Sequence, residues 1–310
     1  MKNNRITVAQ FWISMLLCSF YAVIFCGNTA SVYELLLCAA AVVINLIVFT
    51  FYQGAMGIVI RSVIVIYFSY TALLCFVRFN EYMFKSLGYG PYWLISLIML
   101  VFVFFCTVKG IEPIARAGGI LLFFVLLALA YTFVCCFSGT TFYLANEYSL
   151  NLQMPLFLLF PSAAYIVFKD NIIPKKNNVK WIYAVLTIAA VFYFMCLSYK
   201  EEGEFPFQRI AESARIDVFR GADCMLLAVF TAGGLFITSI VATSLFKNSK
   251  KLNLRRFAYL LALAGASVLC LYNDYLREAI YNNILVACVM IIAAFVFIAG
   301  IIKNLMNKNS

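Results

Sequence analysis

Histidine is absent from all 310 residues, and charge is scarce, with Asp, Glu, Lys and Arg making up only 12% of the chain. A soluble domain carries about 25% charged residues, so this chain lacks the polar surface that water demands. Without histidine there is no imidazole general base and no imidazole metal ligand. Eleven cysteines are present but no Cys-x-x-Cys pair, which leaves a zinc site without its usual spacing. Most of them, including Cys18, Cys38, Cys75, Cys106, Cys135, Cys136 and Cys288, fall inside apolar stretches, where a thiol serves as a small polarizable packing group. No catalytic constellation and no cofactor motif emerges, so the chain reads as a non-enzyme. Proline is rare as well, with six in total, two of them (Pro155 and Pro161) in one stretch.

Hydrophobic residues fill the gap at 65% of the chain, arranged in ten charge-free runs: 6–33, 35–60, 62–77, 86–108, 117–146, 148–168, 181–199, 224–246, 257–273 and 279–302. One crossing of a bilayer takes about 20 helical residues. Backbone polar groups in lipid are satisfied only in helices or closed barrels. The runs are continuously apolar rather than alternating, which selects helices. The expectation is an all-α membrane protein, one integral domain over 1–310, with helices near 7–26, 33–53, 59–79, 91–108, 113–138, 152–168, 181–199, 221–246, 256–273 and 281–303. The first run is read as a retained helix, since no small-residue cleavage site clearly follows it.

The net charge of +10 is explained by topology and calls for no nucleic-acid partner. With the N-terminus inside, sixteen of the twenty-three Lys and Arg residues, and only Glu112 and Asp170 of the thirteen acids, fall on the inner side. This follows the positive-inside rule and places both termini in the cytoplasm. Arg78 and Lys85 are assigned to the outer side. Tyr92, Trp93, Trp181 and Tyr183, near helix ends, are expected in the aromatic belt. The longest outer gap, 200–220, contains an amphipathic segment near 205–217 with Phe207, Ile210, Ala211 and Ala214 on one face.

The sixth run holds the strongest local signal. Pro161 removes a backbone donor and disfavours helix at Phe160, so carbonyls near Phe157 and Leu158 need other partners. The run is either a proline-kinked helix or a discontinuous one, and broken helices are tolerated in membranes where they line a cavity. A broken sixth helix among ten suggests two five-helix halves, about 6–138 and 152–303, as in inverted-repeat transporters.

Several charged residues punctuate this plan. Glu112 and Arg116 share a helix face at i, i+4 and serve as an interfacial ion pair or an inner gate latch. Arg215 and Asp217 precede the eighth helix and either clamp outer loops or form an outer gate. Asp223 begins that helix, where a carboxylate suits the positive end of the helix dipole. Thr231, Gly233, Gly234, Thr238 and Ser239 along the same helix allow close helix packing.

The Gly110-x-Glu112-x-x-x-Arg116 element opening the fifth helix, and Arg215-Ile216-Asp217 before the eighth, occur in register within the ten runs. Together they resemble the spore germination permease family, the B subunits of nutrient germinant receptors, over about residues 6–303. The resemblance implies the amino acid–polyamine–organocation transporter fold, a LeuT-like five-plus-five inverted repeat. It also implies binding of a small nutrient such as an amino acid, partnership with the receptor's A and C subunits, and residence in the spore inner membrane. In that fold helices 1, 3, 6 and 8 surround the ligand. This points to Ser14, Ser19, Ser69, Thr71, Pro161, Ser162, Thr231 and Thr238 as ligand-binding candidates, with backbone groups at the sixth-helix break meeting the ligand's charged ends. The first run differs from the family in that Phe11–Tyr21 lacks the internal glycine usual there. A secondary transporter of amino acids is the alternative, since it shares the same fold.

Overall fold

The computed structural model describes residues 5–26, 32–52, 57–87, 91–137, 152–173, 179–198, 222–247 and 253–309. Twelve α-helices occur among them: α1 (Val8–Cys26), α2 (Val32–Phe51), α3 (Ile58–Leu87), α4 (Tyr92–Lys109), α5 (Ile111–Phe137), α6 (Gln153–Leu158), α7 (Phe160–Phe168), α8 (Val179–Ser198), α9 (Ala222–Phe246), α10 (Asn253–Tyr272), α11 (Asp274–Tyr281) and α12 (Asn283–Asn309). The chain is an all-α membrane protein. Six stretches, Tyr33–Phe51, Ile58–Lys85, Tyr92–Lys109, Ile111–Tyr131, Leu254–Tyr272 and Asp274–Ile302, are long and apolar enough to cross a bilayer. Val8–Ile24, Lys180–Tyr193 and Thr231–Phe246 form shorter apolar helices.

In an apolar 18-residue window of each long stretch only 28–39% of the residues are buried within the protein. The remainder presents large apolar side chains outward, among them Phe105, Phe123, Phe295 and Ile291. A surface this apolar is stable against hydrocarbon and not against water.

The centre is built from α1 and the α6–α7 pair. Every residue from Leu152 to Phe168 except Tyr165 is buried. Helix α1 packs on α5, α6, α8 and α9, while α3 packs on α4, α9, α10 and α12. The first helix starts with a reciprocal cap: Thr7 N–H donates to Gln10 Oε1 at 3.0 Å, and Gln10 N–H donates to Thr7 Oγ1 at 3.2 Å. This satisfies two donors that the first turn leaves open. No glycine or proline interrupts α1, and it runs unbroken through Cys26. A two-residue parallel bridge, unforeseen in the sequence, pairs β1 (Ile6–Thr7) with β2 (Ile172–Ile173). Between α4 and α5 the chain turns at Gly110, whose φ of 89° is one that side-chain-bearing residues rarely adopt.

Two expected boundaries are corrected. The third helix does not end near 79 but continues to Leu87 and carries Arg78, Glu81 and Lys85 within it. The last helix, expected near 281–303, is the single helix Asn283–Asn309, which runs beyond 303 and is preceded by the separate α11, Asp274–Tyr281. Asn273 caps α11, its side chain accepting from Leu276 N–H at 3.3 Å. The segment 205–217 lies outside the described residues.

Close packing of α9 rests on Gly233 and Gly234. A Cβ at Gly234 would come within 2.5 Å of the Phe79 ring and also strike Tyr21 Oη, and one at Gly233 would lie 2.6 Å from the Tyr21 ring. A Cβ at Gly119 or Gly265 would meet nothing within 4 Å. Overpacking of this kind costs about 1–3 kcal/mol. Gly234→Ala is therefore expected to lower the thermal midpoint of the detergent-solubilised protein, while Gly119→Ala and Gly265→Ala leave it unchanged or slightly raised. Equal midpoints for all three would show that Tyr21 and Phe79 yield freely.

Candidate functional site

Helix α6 stops at Leu158 and α7 starts at Phe160, joined by Leu159 at φ −78°, ψ −15°. The backbone stays in the right-handed helical region, so the sixth apolar run breaks its hydrogen-bond ladder without unwinding. Pro161 lacks an N–H, and the next donor, Ser162 N–H, leaves the regular ladder for Leu159 O at 3.1 Å. A side chain from α2 makes good the loss. Asn45 Nδ2 donates to Leu158 O at 2.7 Å, while its Oδ1 accepts from Ser162 N–H at 3.1 Å and from the Ser162 hydroxyl. The Asn45 carboxamide is thus spliced between the carbonyl and amide that a straight helix would join directly. Tyr67 Oη donates to Leu156 O at 2.6 Å, satisfying a second carbonyl beside the bend. Asn45 Nδ2 also reaches Tyr183 Oη at 3.3 Å, and Tyr183 Oη lies 3.1 Å from Ser19 Oγ. Tyr183 is therefore a buried member of the core and not, as its position suggested, part of the interfacial belt. Trp93 and Trp181 remain exposed.

At the start of α6 a second polar group is buried. Arg78 donates to Gln153 Oε1 from Nε at 3.1 Å and from Nη2 at 2.8 Å, and Nη1 meets Glu81 Oε2 at 3.4 Å. Tyr281 Oη donates to the same Glu81 oxygen at 2.7 Å, and its ring lies under the guanidinium at 4.3 Å. Arg78 and Glu81 are each only 6% exposed. Arg78 is not a charge in a loop flanking the third helix but a buried residue within it that ties α3, α6 and α11 together. Buried ions are stable only when paired and hydrogen-bonded, and the i, i+3 spacing of Arg78 and Glu81 on a helix supplies that pairing.

Between these two groups lies a cavity of about 20 Å³, lined by Tyr21, Ala22 and Cys26 of α1, Cys75, Arg78 and Phe79 of α3, Phe157 of α6, and Gly234, Ile237 and Thr238 of α9. That is room for about one water. Arg78, Tyr21, Thr238 and the two cysteines are the polar residues among its lining, and the surface it presents is almost wholly apolar.

Among the sequence candidates, Thr238 lines this cavity, with its hydroxyl donating to Gly234 O at 2.8 Å. Ser14 and Thr71 donate to carbonyls one turn back, Gln10 O at 2.8 Å and Tyr67 O at 2.6 Å. Ser69 donates to Val65 O at 2.7 Å and accepts from Tyr259 Oη at 2.6 Å, which turns it toward α10. Thr231 reaches Met83 Sδ at 3.3 Å. Pro161 and Ser162 sit at the bend, where Asn45 and Tyr67 engage the neighbouring carbonyls and the Ser162 amide that were expected to face a ligand. Glu112 and Arg116 form their pair at 2.6 Å, largely exposed on the arginine side, an arrangement that contributes about 0–1 kcal/mol. Arg215 and Asp217 lie outside the described residues. Asp223 falls in the first turn of α9, and its side chain lies outside them too. Sequence reasoning passed over Asn45, Arg78, Glu81, Gln153 and Tyr281. Asn45 was visible as the amide at the middle of the charge-free run 35–60, whose other amide is Gln53.

Two outcomes follow for stability, each read as a thermal midpoint in detergent. Asn45→Leu leaves Leu158 O and Ser162 N–H buried without the amide, at about 1–3 kcal/mol for each group. Ser162→Ala keeps both backbone bonds and costs less, and equal losses would remove the splice from the account. Arg78→Met alone strands the Glu81 carboxylate away from its cation at about 3–5 kcal/mol. Arg78→Met combined with Glu81→Leu is expected to be less damaging than the single change, and additive losses would show that the two do not act as a pair. No family model matches this chain, and no curated protein matches it either.

Proposed function

We propose that this chain is the membrane subunit of a spore nutrient germinant receptor, binding a small nutrient such as an amino acid and helping to trigger germination. The proposal extends to ten spans in a LeuT-like five-plus-five repeat, to the receptor A and C subunits as partners, and to the spore inner membrane as location. The observation that carries it is the small cavity where α1, α3, the interrupted α6–α7 pair and α9 meet. These correspond to the first, third, sixth and eighth of the ten runs, the set expected to surround a ligand in that fold. Arg78, Tyr21 and Thr238, among its lining residues, carry groups of the kind that meet the carboxylate and polar atoms of a small zwitterion once freed from their present partners, and the two motifs in register add support from the sequence. At about 20 Å³ the cavity is smaller than an amino acid, so binding requires the surrounding helices to separate. That movement is the conformational signal a receptor transmits.

A secondary transporter of amino acids is the second reading, and one observation favours it. Glu34 and Glu81 are both buried, and intramembrane acids mark proton relays in transporters.

Deletion of the gene followed by germination on a nutrient panel separates the two. Loss of the response to one nutrient supports the receptor. Normal germination on every nutrient together with impaired uptake of one supports the transporter and sinks the receptor. Within the receptor reading, Thr238→Val removes one hydroxyl at a net cost of about 1 kcal/mol. It is expected to raise the half-maximal nutrient concentration several-fold at unchanged protein level, and an unchanged dose response would take Thr238 out of the site.

A further inference from the structure

On the opposite face of α9 from this cavity's α1 and α3 walls, α4, α5 and α9 enclose a groove of about 490 Å³. Phe102 and Phe105 of α4 and Ile120 and Phe124 of α5 form its exposed rims, and Phe236 and Ser239 of α9 form part of its buried floor. Its depth has a local cause. Ala117 and Ala232, which also line it, end at Cβ, and Gly119 on the same helix as Ala117 presents no side chain. The helices are held near each other while the space between them stays unfilled by protein. In a bilayer such a space, open along apolar rims, fills with hydrocarbon.

The groove differs from the rest of the outer surface at one end. Lys109, the last residue of α4, is exposed and is the only charged residue among those lining it. Arg256, from α10, donates to Thr107 O at 3.2 Å and so places a guanidinium at the last turn of α4. Arg116, one turn beyond the start of α5, is exposed and paired with Glu112 at 2.6 Å. Lys109, Arg256, Arg116 and Glu112 gather near the turn from α4 to α5, a net charge of +2 from these four residues, and of the four Lys109 lines the groove. An apolar channel for a chain, closed by a cationic end at helix termini, matches the two parts of an acidic phospholipid. A lysine on a flexible stem reaches the headgroup level while its methylenes stay on the apolar wall.

We propose that this groove holds an acyl chain of an anionic phospholipid, with the lipid phosphate on Lys109. The site is independent of the nutrient cavity and of the receptor reading. Its test uses the full chain, purified in detergent and delipidated, then titrated with dioleoyl phosphatidylglycerol or dioleoyl phosphatidylcholine. Thermal midpoint and native mass spectrometry serve as readouts. Phosphatidylglycerol is expected to raise the midpoint more than phosphatidylcholine and to be retained at one molecule per chain. Lys109→Gln leaves the midpoint in detergent alone unchanged and weakens the phosphatidylglycerol response about fivefold, the worth of one basic residue near an anionic surface. Ala117→Trp fills the groove and abolishes retention of both lipids. If that variant does not fold, Ala232→Phe takes its place, and the Lys109→Gln comparison stands by itself. Equal responses to the two lipids, an undiminished response in Lys109→Gln, or retention in the filled groove each overturn the proposal. Absence of any lipid response overturns it too, and assigns the groove to a protein partner.

Discussion

The hydrogen bonds between Asn45 and the bend at Leu159 set the terms for the rest of the molecule. Pro161 interrupts the helical ladder in a segment that is buried nearly throughout, and at such depth there is no water to take up an abandoned amide or carbonyl. A carboxamide offers a donor and an acceptor from the same planar group. Asn45 uses both on the two groups that the bend separates. The bend therefore persists only while α2 stands beside it. Through Tyr183 and Ser19 the same cluster reaches α8 and α1. Four elements are aligned by one amide, and the positions of Phe157 and the cavity wall follow from that alignment.

The Arg78 cluster does comparable work at the far end of α6. Gln153 anchors the start of the helix to α3, while Glu81 and the Tyr281 ring balance the guanidinium. The bent span is thus pinned by a neutral amide at its middle and by a charged group at its start. Motion within it must exchange one set of partners for another, because both groups are too deeply buried to borrow water.

How much of this was legible in the sequence depends on which physical rule governed each residue. The fourth helix, expected at 91–108, runs Tyr92–Lys109, and the second, expected at 33–53, runs Val32–Phe51, because nearly every residue there is apolar and uncharged and the backbone closes its own hydrogen bonds as helix. The third span was misjudged for the opposite reason. Arg78 and Glu81 neutralise each other one turn apart, so the helix carries them inside and continues to Leu87. A count of charge-free residues does not register pairing. The bend was announced by Pro155 and Pro161, whereas its partner was not, since nothing local links Asn45 to a residue more than a hundred positions later. Tyr183 misled in the same way. Its place near a helix end suggested the interface, but tertiary packing assigned its hydroxyl to Asn45. The Glu112–Arg116 pair needed only helical spacing, and it formed.

The parallel bridge between Ile6–Thr7 and Ile172–Ile173 is small, but its placement matters. It fastens the chain just before α1 to the chain just after α7, so the two central spans are tied at one end by backbone alone. Lys247, at the end of α9, donates to Val167 O in the last turn of α7 and brings a third span to the same knot. At the other end of α7 the contacts are side-chain bonds of fixed geometry around Leu159. This segment is thus held by side-chain bonds to Asn45 at one end and by a two-residue backbone bridge at the other, so its two ends are fixed by different chemistry.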